Sequence, residues 1–273
     1  MPYANYPRHD ERPERLDLRG QPLGAVPDSL RGAVWLKHLS LSRTGLTRIP
    51  DWLWELRQLE SLNLSENSLS AISDGVGQMS HLRMLDLGHN ALTSIPGALG
   101  DLQQLSDYLY LSHNQLTTFP AFLGRLTRLR YLNVTHNQLA VLPAAIGELS
   151  ALRELRLYAN QLAELPAAIG QLHRLRELHL SDNQLHELPE SIGDLASLRS
   201  LDLRNNRLTA LPESVGRLRN LGFLDLRANQ LHRLPDTLAD LPRLERLDLR
   251  WNPVDQEPAW LAELESRGCY VLL

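Results

Sequence analysis

The side chains with the widest chemical reach in this chain are tyrosines, arginines and histidines that recur in register. Tyr110, Arg156 and His179 share one position of a 23-residue pattern, Tyr131 precedes that position by two and Tyr158 follows it by two. His113 and His136 share a further column. Tyrosine and arginine pair apolar bulk with a polar tip, the combination found where one protein grips another. The chain holds seven tyrosines and three phenylalanines, so three or four tyrosines in one stretch are a concentration. The pattern predicts a partner-binding patch, with ordinary solvated surface as the alternative. A second group repeats Asp-Leu-Arg three times, at Asp202 to Arg204, Asp225 to Arg227 and Asp248 to Arg250. Arg204 and Arg227 could act as a charged clamp, with Phe223 and Trp251 as apolar anchors. Alternatively the charges satisfy one another across neighbouring strands, at a few tenths of a kcal/mol per exposed pair.

No other chemistry has comparable support. The chain contains no phosphate loop, dinucleotide fingerprint, HExxH or paired CxxC, and convergent catalytic geometry needs a cleft that an open sheet lacks. The expectation is a protein that is not an enzyme. His89, His113 and His136 share a column, and side chains about 5 Å apart on adjacent strands are close enough to share a metal. No cysteine or suitably placed carboxylate accompanies them, so no metal and no cofactor is expected. Cys269, the single cysteine, lies among apolar neighbours and reads as packing.

Composition narrows the remaining classes. A net charge of −4 and a pI near 6.2 argue against a nucleic-acid binder, which needs a basic footprint. The start is polar, with Pro2 and Pro7 and no apolar leader, and no apolar run reaches the roughly 18 residues of a membrane span. A lone cysteine disfavours an oxidising compartment. The expected location is the cytosol, either the cell's own or that of a host into which the protein is delivered. A monomer is expected.

What positions these side chains is a repeat. A polar residue after a leucine pair recurs at Gln21, Thr44, Asn67, Asn90, Asn114, Asn137, Asn160, Asn183, Asn206, Asn229 and Asn252. Every step is 23 residues except the 24 between Asn90 and Asn114. A period of that length implies a solenoid, in which each unit touches only its neighbours. In the unit from Leu152 to Arg174, Leu155 and Leu157 alternate with Glu154, Arg156 and Tyr158, the period of a short strand with leucines inward. Asn160 follows where the chain turns, and its amide can both donate to and accept from buried backbone. Pro166 suits the first position of a short helical segment, whose Ile169 and Leu172 share one face. Acidic Glu190, Glu213 and Asp236 follow the prolines, where a helix N-terminus favours negative charge.

The unit LxxLxLxxNxLxxLPxxIGxL resembles the leucine-rich repeat, in the intracellular 23-residue class shared by plant Ras-group, Roco and bacterial repeat proteins. The resemblance implies an α/β solenoid: a curved horseshoe with a parallel sheet on the concave face and short helical or 3₁₀ segments on the convex side. It also implies protein–protein recognition on the concave face, in signalling or as an effector, with a small GTPase among the possible partners. A recognition arm of a larger enzyme, such as a ubiquitin ligase, a kinase or an injected effector, is the competing role. The expected organisation is a flexible segment over 1–12, about eleven repeats over 13–264 and a capping strand over 265–273. Three departures stand out. Ser73 replaces the proline of the third unit, one extra residue falls among Ser106, Asp107 and Tyr108, and Trp52, Phe122 and Trp260 share one helical position. The extra residue predicts a bulge that re-aims Tyr108 or Tyr110. The aromatic trio reads as end packing or a second contact surface.

Overall fold

The computed structural model describes residues 13–273, so the expectation of a flexible segment over 1–12 lies outside the described residues. The first six strands are β1 (Arg15–Asp17), β2 (His38–Ser40), β3 (Ser61–Asn63), β4 (Met84–Asp86), β5 (Tyr108–Tyr110) and β6 (Tyr131–Asn133). The next six are β7 (Glu154–Arg156), β8 (Glu177–His179), β9 (Ser200–Asp202), β10 (Phe223–Asp225), β11 (Arg246–Asp248) and β12 (Tyr270–Leu272). They form one open parallel sheet in strict chain order, on the concave face of a curved solenoid. Between strands, five-residue 3₁₀ segments such as Ala167–Gln171 line the convex side. Strands β1 to β11 each contribute one central leucine and a second aliphatic residue two positions on, leucine in all but β6, which has Val134; Leu155 and Leu157 are fully buried. No coil buries its leucines alone, so stacking supplies the core.

The asparagine column is the internal clamp. Asn160 Nδ2 donates to Leu157 O of its own coil at 3.0 Å and to Val134 O of the preceding coil at 3.0 Å. Its Oδ1 accepts the Leu139 N–H at 3.0 Å. The same three bonds recur at Asn183, Asn206 and Asn229. The residue before Thr44 and before each asparagine of the column, from Arg43 to Trp251, has positive φ without being glycine, a left-handed conformation that costs on the order of 1 kcal/mol and is imposed by the stacked turn. The prolines fall one residue earlier than the sequence reading placed them. Pro166, with φ −68° and ψ 147°, is the extended residue just before the 3₁₀ turn, and its carbonyl accepts the Ile169 N–H at 2.9 Å.

The departures have structural causes. Ser73 stands where proline is usual because its Oγ accepts a 2.8 Å bond from Trp54 Nε1, whose indole is 1% exposed. Gly75 leaves room for that ring; a Cβ there would meet Trp54. The extra residue near 106 is absorbed before the strand. Arg130 N–H donates to Ser106 O at 3.0 Å, the carbonyl one residue earlier than the repeat would use, and Asp107 ion-pairs with Arg83 at 3.4 Å. β5 then pairs in full register with β4 and β6, so Tyr108 and Tyr110 keep their columns and are not re-aimed. The convex aromatics pack as parts of the body: Trp52, Phe122 and Trp260 are partly buried against the core, and Trp260 Nε1 donates to Asp236 Oδ1 at 3.0 Å. At the far end an α-helix, α1 (Trp260–Ser266), replaces the 3₁₀ turn and precedes β12, which covers the β11 edge.

Candidate functional site

Strand alternation sends the first and third residues of every strand to the concave face. On β5 and β6 this gathers three phenols. The Tyr110 and Tyr131 ring centroids lie 5.1 Å apart, Tyr108 and Tyr131 5.4 Å, and Tyr108 and Tyr110 5.8 Å. The Arg156 guanidinium sits 5.5 Å from the Tyr131 centroid and is held by Glu154 at 2.6 Å, so β7 supplies the cation that closes the cluster. Burial pushes the Tyr110 and Tyr131 hydroxyls above the usual tyrosine range, so both remain protonated donors at neutral pH. The cluster offers apolar ring faces, phenolic donors and one cation within four adjacent side chains. Tyr108, 41% exposed, belongs to it, although the sequence reading named it only as a residue that a bulge could re-aim and not among the partner-binding residues; its register with Tyr131 was the available signal.

A second ladder runs parallel to the first along the positive-φ column. His89 and His113 stack at 4.0 Å and 15°, His113 and His136 at 4.1 Å and 16°, and Tyr158 meets His136 edge-on at 5.3 Å. Rings stacked face to face do not aim their nitrogens at one point, as a ligand set would require. Partial burial, and then the flanking His89 and His136, hold the His113 imidazole below its ordinary value, which keeps it neutral at pH 7.

The comparisons bear on the fold. The leucine-rich repeat region model matches residues 117–183 and 168–266, and leucine rich repeat models match 14–69, 57–116 and 107–126. The chain belongs to the leucine-rich repeat proteins. Among solved structures, a leucine-rich repeat protein of Leptospira interrogans is 35% identical with a TM-score of 0.88, covering 94% of this chain and 66% of its own. The ectodomain of the receptor kinase GASSHO1/SCHENGEN3 from Arabidopsis thaliana, in complex with CASPARIAN STRIP INTEGRITY FACTOR 2, is 29% identical with a TM-score of 0.58. That match covers 94% of this chain and 38% of the receptor. An internalin of Listeria monocytogenes, at 22% identity and a TM-score of 0.78 over 91% of this chain and 70% of that one, shares the fold. This chain therefore spans less than two thirds of the length of the Leptospira protein. No curated protein sequence matches it.

The remaining predicted residues of this leucine-rich repeat protein form a separate zone on β8 to β11. His179 Nε2 lies 3.3 Å from Glu177 Oε2. Glu154, Glu177 and His179 place one ligand atom each within 4.8 Å of one another, but Glu154 is already engaged by Arg156. The charge lattice departs from the cross-strand pairing anticipated. Arg227 binds Asp225 two residues earlier at 2.6 Å, Arg250 binds Asp248 at 2.8 Å, and Arg204 reaches Asp202 at 3.7 Å, all within one strand and its extension. The crossing contact is Arg227 to Asp248 at 3.4 Å. Residues two apart on a strand share a face and the arginine is long enough to fold back, so the short local pair wins. Phe223 is 50% exposed, and the Arg250 guanidinium sits 5.5 Å from the Trp251 ring.

Asp248 is the keystone of that lattice. Its side chain is 1% exposed and receives Arg227, Arg246 and Arg250. Burial alone would raise its carboxyl, but Arg250, Arg246 and Arg227 outweigh burial and hold it below the usual carboxylate range. A depressed folded value means stability that is complete above the unfolded value near pH 4 and is lost as pH falls through the folded one. Asp86 and Asp202 have the opposite sign, because burial raises both and protonation favours their folded state. Amide protection in β10 to β12 should therefore fall on acidification below about pH 4. Asp248→Asn should remove that acid sensitivity and lower stability at pH 7 by about 2 kcal/mol. An unchanged pH slope in denaturant titrations of the variant would contradict this assignment.

Cys269 is buried in the core and burial raises its thiol, as packing requires. No helix among the described residues is long and apolar enough to cross a membrane.

Proposed function

We propose that this leucine-rich repeat protein is a non-enzymatic recognition module that binds a protein partner through its concave face. The observation that carries this reading is the contact of Tyr108, Tyr110, Tyr131 and Arg156 on three adjacent strands. Rigid aromatic residues with few rotatable bonds lose little entropy on contact, and a cation stacked on a phenol can pair with a partner carboxylate. The histidine platform from His89 to His136, with Tyr158, flanks the cluster and widens the footprint. His179, Arg204, Phe223, Arg227 and Trp251 form the outer contacts. The Arabidopsis receptor kinase ectodomain, of the same fold, is in complex with CASPARIAN STRIP INTEGRITY FACTOR 2, which supports the use of such a body for recognition. The proposed setting is the cytosol, the cell's own or a host's, with the protein acting as a monomer in signalling or as an effector. A small GTPase is the partner class suggested by the family resemblance.

Combined substitution Tyr131→Ala, Arg156→Ala and Tyr158→Ala should weaken capture of the partner at least ~100-fold, since hot-spot truncations cost about 2 kcal/mol or more each. The thermal midpoint should scarcely move, because none of the three side chains lies in the leucine core. Pull-down followed by titration calorimetry on the captured protein measures both quantities. Undiminished affinity in the triple variant would overturn the site. A second reading, the recognition arm of a larger enzyme, is favoured by the short span of this chain relative to the Leptospira protein and the receptor kinase ectodomain.

A further inference from the structure

The residue just before each strand alternates in sign over the first five strands, Glu14, Lys37, Glu60, Arg83 and Asp107, and is Gly222 and Glu245 before β10 and β11. In the middle it is arginine in four successive coils: Arg130, Arg153, Arg176 and Arg199. These four are joined directly by backbone hydrogen bonds, Arg153 N–H to Arg130 O at 2.8 Å, Arg176 N–H to Arg153 O at 2.7 Å and Arg199 N–H to Arg176 O at 2.8 Å. Adjacent coils therefore stand about one strand spacing, ~4.8 Å, apart. All four side chains are exposed. Arg130 has a partner in Asp107 at 3.8 Å, but Arg153, Arg176 and Arg199 have no ion-pair partner among the described residues. Arg130 and Arg153 line a shallow depression on the strand-entry flank together with Arg83, Arg128, His173 and Arg174, and no aspartate or glutamate lines it; Arg176 and Arg199 continue the run beyond it. In a chain of net charge −4 with 32 acidic residues, a depression lined by cations without an acid is a built asymmetry. Like charges on neighbouring strands repel, and beyond the Asp107 contacts of Arg83 and Arg130 no ion pair relieves the run among the described residues.

We propose that this flank is a docking surface for an extended acidic segment of a protein partner. It rests on the recognition role proposed above but uses a different face of the solenoid. The geometry fits: Arg130 to Arg199 spans three strand spacings, ~14 Å, and an extended peptide repeats same-face side chains every ~6.8 Å, so three acids at alternate positions match the run. Guanidinium forks favour carboxylates through paired hydrogen bonds. Nucleic acid fits less well. The depression has no tyrosine, tryptophan or phenylalanine on which a base could stack.

The test uses the whole protein and three fluorescein-labelled probes: ten glutamates, ten lysines and a ten-nucleotide single-stranded DNA. Fluorescence anisotropy at 50 and 200 mM salt should show the glutamate peptide binding, more weakly at the higher salt, with no binding of the lysine peptide. Arg153→Glu, Arg174→Glu and Arg176→Glu together should reduce glutamate-peptide affinity at least tenfold. The conservative set Arg153→Lys, Arg174→Lys and Arg176→Lys should retain most of it and guards against misfolding. The triple variant at Tyr131, Arg156 and Tyr158 should bind the glutamate peptide normally, which separates this surface from the concave site. Failure of the glutamate peptide to bind, equal binding by the arginine-to-glutamate variant, or tighter binding of the DNA would each overturn the proposal.

Discussion

Asn160→Ala should destabilise the protein by about 3 kcal/mol. The Leu139 N–H loses its acceptor and is left in a buried turn, at roughly 1–3 kcal/mol for an orphaned donor. Three further bonds disappear with it, to Val134 O, Leu157 O and Tyr158 O, although Val134 O keeps Asn137 and Leu157 O keeps Asn183 as donors. Asn160→Asp separates the two roles, because a carboxylate can accept from Leu139 but cannot donate to these carbonyls. It should be at least as damaging as alanine, since it also buries a charge against carbonyl oxygens. Asn252→Ala makes the comparison at the end of the column, where the same contacts are only partly buried, and should cost less. Guanidinium midpoints measure all three. A loss under about 1 kcal/mol for Asn160→Ala would mean that the ladder is ornamental and that leucine packing alone holds the turn.

Gly147→Ala should be nearly as costly, for a steric reason. A Cβ at Gly147 would lie 2.5 Å from Ala168 O and 3.1 Å from Ala168 Cβ in the next 3₁₀ segment. Backbone cannot rotate away as a side-chain tip can, so the two coils must part on the convex side, at about 1–3 kcal/mol. Gly124 faces Ala145 O at 2.6 Å in the same way. Gly97→Ala is the control: a Cβ there meets nothing within 4 Å, and the substitution should be neutral or stabilise by about 0.5 kcal/mol. Equal thermal midpoints for Gly147→Ala and Gly97→Ala would refute the close-packing account.

The repeating positions were legible because each states the same physical demand many times over. Leucine alternation, the asparagine turn and the Ile-Gly pair are dictated by stacking, so the strand positions and the covering strand at Tyr270–Leu272 follow from spacing alone. The concave columns were equally legible, which is why Tyr110, Tyr131 and Arg156 could be placed together before any coordinates. Contacts between non-repeating side chains were not. Nothing in the spacing states that Ser73 receives the Trp54 indole, that the imidazoles stack, or that arginines fold back within their own strand. These outcomes depend on rotamers and local room, which a periodic pattern does not carry. The flank arginines were the reverse case. Their spacing was plain, but attention to the face that a horseshoe usually offers left the edge unread.

Strict chain order in the sheet has a consequence for how this molecule can change. A coil can be gained or lost by duplication or deletion of one period without rethreading any other part. Such an event leaves the chemistry of each patch intact and alters the distance between patches by about 5 Å per coil. The tyrosine cluster on β5 to β7 and the charge lattice around Asp248 on β11 would then stand at two marks of an adjustable ruler, with the number of coils between them tuning which partners can span both.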